Sequence, residues 1–239
     1  MGRDMARYLS SKGYDLILVA RREDRLLALR DELGDTNVRI ITLDLSKEEN
    51  CYELYELTKD EKVDFLINNA GFGVYGRFTE SAVEDELRLI KTNVVALHIL
   101  MKLFAKDMEK RGSGNILNVG SIAGFLPGPL LSSYYASKNY VVRLSEAVHE
   151  ELRRSGSKVR VSVLCPGPVK TEFNKVAGVN FIVEGLDSAY VAKYAIDRAL
   201  KGKMVIVPGF AIKLLKLGAR FLSEKRFTRL SYTLQMQRK

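Results

Sequence analysis

Tyr134 and Lys138 stand four residues apart in the stretch "SSYYASKNY", inside a segment patterned as a helix, so both side chains leave the same face. A free tyrosine ionises near pH 10 and is a poor acid–base group at neutrality. An ammonium beside it favours the phenolate and makes the pair a usable proton donor. The spacing alone is not distinctive. Tyr8/Lys12 and Tyr55/Lys59 repeat it, and an ordinary surface helix explains any single pair. The third pair keeps different company. Ser121 lies 13 residues ahead of Tyr134 at the end of an apolar run, an offset neither other pair reproduces. Asn93 follows "IKT" within a helical pattern, where asparagine is a poor helix former. Taken singly, Ser121 reads as an N-cap or turn residue, Asn93 as a solvated polar residue, and "NNAG" (68–71) as a turn. Taken together and in order, they read as a site for proton transfer.

The elements that must position these residues alternate. Apolar runs at 16–20, 38–44, 63–67, 115–120, 159–165 and 204–208 predict strands, most of them continuous, as strands buried on both faces should be. Helical patterns fall at about 3–12, 23–33, 47–60, 80–110, 133–154 and 187–200. Alternation of this kind implies parallel strands with helices on both faces, an α/β doubly wound sheet in three α/β/α layers. In such sheets ligands bind beyond the carboxyl ends of the strands. The polar stretches cluster there: "ARR", "LDLS", "NNAG", "GS" and "CPGPVKT" each follow a strand.

"NNAG" (68–71), Asn93, Ser121, Tyr134-x-x-x-Lys138 and "PGPVKT" (166–171) resemble the short-chain dehydrogenase/reductase family over roughly residues 2–208. The resemblance implies a Rossmann-type fold, a nicotinamide cofactor and interconversion of a ketone with a secondary alcohol. It implies that Tyr134 protonates the carbonyl oxygen and that Lys138 lowers the tyrosine pKa and holds the nicotinamide ribose. Ser121 would hydrogen-bond the carbonyl, and Asn93 would position a water in a proton relay. Tyr135 sits about 100° further round the helix and does not fit the tyrosine role. By the same resemblance Gly2 belongs to the phosphate-binding turn and Asp44 and Leu45 to the adenine contact. Asn69, Ala70 and Gly71 are further cofactor contacts, and Pro166, Gly167, Val169 and Thr171 form the loop at the nicotinamide end.

Cofactor choice is read after the first strand-like run. An acid there holds a ribose 2′-hydroxyl, whereas arginine accommodates a 2′-phosphate. Arg21 and Arg22 end that run, which predicts NADP(H) over NAD(H). Phe125, Leu126, Leu130, Phe173 and Phe181 suggest an apolar pocket and a hydrophobic carbonyl substrate.

At 239 residues the chain fits one main domain, 1–208, with a basic tail, 209–239, that carries +7 of the +9 net charge. Charge confined to one segment argues against a nucleic-acid binder. Residues 210–223 read as an amphipathic helix. Lys213, Lys216 and Arg220 share one face, and Ile212, Leu215, Ala219 and Leu222 share another. Packing on its own domain or at an oligomer interface is favoured over peripheral membrane contact. Cys51 and Cys165 form no metal or redox motif, and His98 and His149 have no partner at ligand spacing. No apolar run approaches ~18–20 residues, and a cytoplasmic homo-oligomer is expected. Two alternatives stay open: a catalytically impaired member of the family, and a membrane-surface protein acting through its tail.

The opening "MGRDMARYL" matches the last glycine of the family's glycine-rich turn and the helix after it. The reading therefore expects the family's first strand and most of its phosphate loop to be missing from the given chain, Met1 to be an internal methionine of a longer natural one, and this chain to be unstable and to bind NADPH weakly.

Overall fold

The structure, a computed structural model, describes residues 1–173, 177–178, 184–218 and 223–236. Helix α1 (Gly2–Ser10) leads to β1 (Leu16–Ala20), then α2 (Glu23–Glu32), β2 (Val38–Thr42), α3 (Glu48–Thr58) and β3 (Phe65–Asn68). Helix α4 (Val83–Ile90) continues through a π-helical turn (Lys91–Ala96) into α5 (Leu97–Arg111), followed by β4 (Gly114–Val119) and a 3-10 turn (Ile122–Phe125). Helix α6 (Ser132–Arg154), β5 (Val159–Leu164), α7 (Ser188–Leu200), β6 (Val205–Ile206), α8 (Phe210–Gly218) and α9 (Glu224–Met236) complete the described elements.

All paired strands run parallel. Strand β1 pairs with β2, and β3–β4–β5–β6 form a second sheet in that order. One apolar cluster joins α1, α2 and α7 to β1, β4 and β5 through Met5, Leu9, Leu29, Leu117, Leu164 and Ile196. On the other face, Met108, Ile116, Val141, Val142 and Val163 pack α5 and α6 on the second sheet, while Cys51, Leu54 and Phe104 cover β1 and β2. The two sheets thus share one layer between two layers of helices. The continuous runs in β4 and β5 follow from this: Ile116, Leu117, Val163 and Leu164 are all fully buried because both of their faces are covered.

A buried polar chain fixes α6 over the sheet. Asn68 on β3 donates to Asn118 on β4 at 2.8 Å, and Asn118 donates to the Ser145 hydroxyl of α6 at 2.9 Å. Each of these groups would be costly to bury unpartnered, so the chain specifies register as well as proximity. The 3-10 turn then wedges against α6. A Cβ on Gly124 would stand 2.6 Å from the Lys138 carbonyl oxygen and 2.5 Å from a Val142 methyl.

Helix α8, Phe210–Gly218, lies within the helix predicted over 210–223, and Ala219, Arg220 and Leu222 of that reading lie outside the described residues. Ile212 packs into the cluster beneath α6 and against Gly167, whose Cβ would meet it at 2.5 Å, so this apolar position faces its own domain. Among the described residues no helix is long and apolar enough to cross a membrane.

Gly124→Ala should force the turn away from α6 and cost ~1–3 kcal/mol, the range for overpacking a close contact. Urea unfolding checks this, and an unchanged midpoint would contradict the close packing.

Candidate active site

One cavity of about 1650 Å³ opens along the carboxyl ends of the strands. Its wall includes Gly2, Arg21, Arg22, Asp44, Leu45, Asn69, Ala70, Gly71, Ser121, Tyr134, Lys138, Pro166, Gly167, Val169 and Thr171. Of the catalytic and cofactor-contact residues expected from the sequence, all but Asn93 line this cavity.

Helix α6 carries Tyr134 and Lys138 one turn apart, and Lys138 is buried with its Nζ donating to the Val119 carbonyl at 2.7 Å. That bond ties α6 to the end of β4. Burial pushes the Lys138 ammonium down to about 8. Tyr134 is part-exposed because it borders the cavity, yet burial pushes its phenol up to about 12, with the Ser121 hydroxyl drawing it partly back. The sequence reading expected the lysine to lower the tyrosine. Here Lys138 is engaged with Val119, 5.9 Å from the Tyr134 ring centre, and desolvation dominates instead. Tyr134 is consequently held as the protonated, donating form at neutral pH.

The Ser121 Oγ accepts from the Ala123 amide at 3.1 Å, capping the 3-10 turn, and the hydroxyl lies close enough to the Tyr134 phenol to draw its pKa down. The turn is pinned to the loop after β5 by the Ile122 amide, which donates to the Pro166 carbonyl at 2.9 Å.

Asn93 does not itself line the cavity. It is 1% exposed, and its carboxamide is engaged on all sides. Oδ1 accepts from the Phe72 amide, while Nδ2 donates to the Phe72 carbonyl at 2.9 Å and to Ser137 Oγ at 3.1 Å. Ser137 in turn donates to the Tyr134 carbonyl at 2.7 Å. The side chain therefore braces the π-helical turn against the strand-end loop and α6.

Gly71 is a backbone-approach position. A Cβ there would meet Asn93 Oδ1 at 3.0 Å and Lys138 Nζ at 3.4 Å, so a side chain would press on both. Arg21 lies 3.9 Å from Asp44. Arg22 and Arg25 both pair with Glu172, at 3.6 and 2.6 Å. Sequence reasoning missed Arg25 and Glu172. The signal for Arg25 was its position three residues past Arg22 on α2, which returns it to the same side.

The apolar wall also differs from expectation. Leu131, Tyr134, Tyr135 and Phe173 line it and pack in one cluster with Tyr75 and Ala177, and the Tyr134 and Phe173 ring centres are 5.2 Å apart. Of the predicted aromatics and leucines, Phe173 borders the cavity, Phe125 packs in the cluster beneath α6, and Phe181 lies outside the described residues. Leu126 and Leu130 are not on the wall, and Leu130 holds a left-handed φ of 65°. Tyr135 turns its ring onto Gly128, away from the proton-transfer position. The competing pairs prove structural. Tyr8 donates to Asp197 and Tyr55 to Asp107. His98 contacts the Tyr140 hydroxyl and His149 the Val161 carbonyl, and no metal-binding group occurs among the described residues.

Comparison with known proteins shows the family. The family model for short chain dehydrogenase matches residues 1–179. A 3-oxoacyl-[acyl-carrier-protein] reductase of Homo sapiens is 32% identical over 177 residues, covering 73% of each chain. A short-chain dehydrogenase from Sphingobium yanoikuyae in complex with NADPH superposes with a TM-score of 0.82 at 32% identity, over 92% of this chain and 89% of its own. A short-chain dehydrogenase/reductase from Burkholderia phymatum in complex with NAD gives 0.82 at 26% identity, over 90% and 87%. The chain belongs to the short-chain dehydrogenase/reductase family and is an NAD(P)-dependent dehydrogenase/reductase.

Lys138 yields a pH prediction. Its pKa is about 8 folded against an ordinary 10.5, so between those values the unfolded chain binds more protons and stability rises with pH. Relative to Lys138→Met, the native chain should gain up to ~3 kcal/mol from pH 8 to 10.5, at 1.36 kcal/mol per unit. Parallel urea titrations test it, and a flat difference would show that the lysine is not desolvated.

Proposed function

We propose that this enzyme interconverts a hydrophobic ketone and its secondary alcohol with NADP(H), using Tyr134 as the general acid and base. The observation that carries the reading is the meeting of Ser121, Tyr134 and Lys138 on the wall of the cavity that the cofactor-type residues also line.

The residues fit a dinucleotide. Gly71 leaves a cradle that a side chain would fill, Gly2 opens α1 beside Asn69, and Arg21, Arg22 and Arg25 supply cationic forks. When bound, the nicotinamide supplies or takes the hydride. Ser121 orients the substrate oxygen. Tyr134, kept protonated by its surroundings, gives its proton to that oxygen and recovers it in the reverse direction. Lys138, one helical turn on, stabilises the phenolate that forms and holds the nicotinamide ribose. Asn93 acts through Phe72 and Ser137, keeping the loop and α6 at their separation. Asp44 and Leu45 take the adenine side. Asn69, Ala70, Gly71, Pro166, Gly167, Val169 and Thr171 line the rest.

The preference for NADP(H) rests on Arg21 and Arg22, which follow β1 directly, ahead of the first acid, Glu23. The apolar character of the substrate rests on Leu131, Tyr75, Tyr135 and Phe173 around Tyr134. Self-association belongs to the same proposal: Val83, Leu87 and Ile90 leave an exposed apolar row on α4.

Tyr134→Phe should lower kcat for ketone reduction ~10²–10⁴-fold, the range for a lost general acid, with the fold retained. Tyr135→Phe should change it only a few-fold, and the reverse order of damage would refute the assignment. Arg21→Ala should reduce the NADPH-over-NADH ratio of kcat/KM by ~1.5–3 kcal/mol, the worth of a charge-assisted hydrogen bond. Equal efficiency with both cofactors in the unsubstituted chain would contradict the preference.

A further inference from the structure

On the cavity wall Arg25 pairs with Glu172, 147 residues further along the chain. Its Nη1 donates to both carboxylate oxygens, at 2.9 and 2.6 Å, and Arg22 stands 3.6 Å from the same carboxylate. Arg22 caps α2 and Arg25 lies in its first turn, just after β1, whereas Glu172 follows β5. The contact therefore joins segments that leave the carboxyl ends of two strands in different sheets. Arg25, with Arg22 and Arg3 behind it, holds the Glu172 carboxyl below the usual carboxylate range, so it is an anion at neutral pH. A carboxylate of the chain itself thus occupies guanidinium forks suited to a phosphate.

The next residue is tied to the reacting end of the cavity. The Phe173 ring centre lies 5.2 Å from that of Tyr134, in the cluster that also holds Leu131 and Tyr135. The tip of the ring stands 3.2 Å from where a Cβ on Gly73 would be, so it is wedged between the loop after β3 and α6. The Phe173 amide donates to Thr171 Oγ1 at 3.2 Å, which draws Thr171, Glu172 and Phe173 into a tight turn. Two neighbouring side chains of this turn are thus held in different places, the carboxylate by α2 and the ring by Tyr134. A turn this tight passes a shift of one on to the other.

We propose that Glu172 is a specificity-determining residue: it holds the arginines of α2 until a 2′-phosphorylated cofactor displaces it, and through Phe173 it couples that exchange to the apolar wall beside Tyr134. The proposal rests on the NADP(H) reading and adds a regulation to the same site. The exchange favours the ligand. Arg22, Arg25 and Glu172 are 59, 41 and 51% exposed, and ion pairs in that setting hold weakly. A phosphate monoester brings a charge of about −1.5 to −2 and three acceptor oxygens, against one charge and two oxygens for the carboxylate. A cofactor without the 2′-phosphate leaves the Arg25–Glu172 pair closed and Phe173 seated on Tyr134.

The test titrates three chains by calorimetry with adenosine 2′,5′-bisphosphate and with adenosine 5′-monophosphate: the unsubstituted chain, Glu172→Gln, and Glu23→Gln as a control that loses the same charge next to Arg22 in sequence. Neither ligand carries a nicotinamide, so binding is read apart from turnover. Glu172→Gln should bind the bisphosphate about three- to fivefold more tightly, the scale of removing an exposed ion-pair competitor, and the monophosphate as before. Glu23→Gln should change neither. Tightening of both ligands, equal tightening in the control, or no tightening in Glu172→Gln would overturn the proposal and leave the cofactor preference standing. No preference for the bisphosphate in the unsubstituted chain would overturn that preference and the proposal with it. The chain contains no tryptophan, so Phe173→Trp supplies a single reporter beside Tyr134. Its emission should move to longer wavelength with the bisphosphate and not with the monophosphate, and the response should vanish when Glu172→Gln is added. An emission that ignores the bisphosphate, answers both ligands alike, or still answers in the double variant would overturn the coupling.

Discussion

The site depends on how α6 is held across the carboxyl end of β4. Lys138 reaches down to the Val119 carbonyl, and the Asn68–Asn118–Ser145 chain ties β3, β4 and the same helix together one layer below. Gly124 lets the capping turn of Ser121 touch the helix backbone. With these three contacts in place, a tyrosine one turn before the lysine has little choice of position. Burial then sets its chemistry: the phenol is kept protonated and the ammonium is made easier to deprotonate. Anchoring and tuning come from the same packing.

At the other end of the cavity, charge rather than burial organises the surface. Arg22 and Arg25 converge on Glu172, which opens the segment after β5, and Arg21 lies near Asp44. All of these side chains are substantially exposed, so the pairs are weak and an arriving anion meets little resistance in displacing a carboxylate. Because Glu172 adjoins Phe173 on the apolar wall, the anion-binding and apolar parts of the cavity are neighbours in sequence as well as in space.

Much of this was legible beforehand because the relevant patterns are short-range. The run at 16–20 is β1 to the residue, and the alternation of apolar runs with helical patterns implied parallel strands under two helix layers. Ser121, Tyr134 and Lys138 were found through their mutual spacing. The π-helical turn was not, since a pattern of 3.6 residues per turn reads 80–110 as one helix. Asn93 flagged the place as unusual, but its role as a brace depends on Phe72 and Ser137, which sequence distance conceals. The direction of the Tyr134 shift was misjudged for a related reason: proximity to Lys138 can be read from spacing, whereas the Val119 carbonyl that engages the ammonium cannot. In the tail, amphipathic spacing located a helix but not the contact of Ile212 with Gly167.

The central claim is that Ser121, Tyr134 and Lys138 serve hydride transfer between a nicotinamide and a carbonyl carbon. The most direct measurement incubates the enzyme with NADPH deuterated at the transferring position of the nicotinamide and a hydrophobic ketone, then analyses the alcohol by mass spectrometry and NMR. The account predicts one deuterium per molecule, on the carbinol carbon, with the hydroxyl proton drawn from solvent. An alcohol without the label, or oxidation of the cofactor without reduction of the ketone, would contradict it.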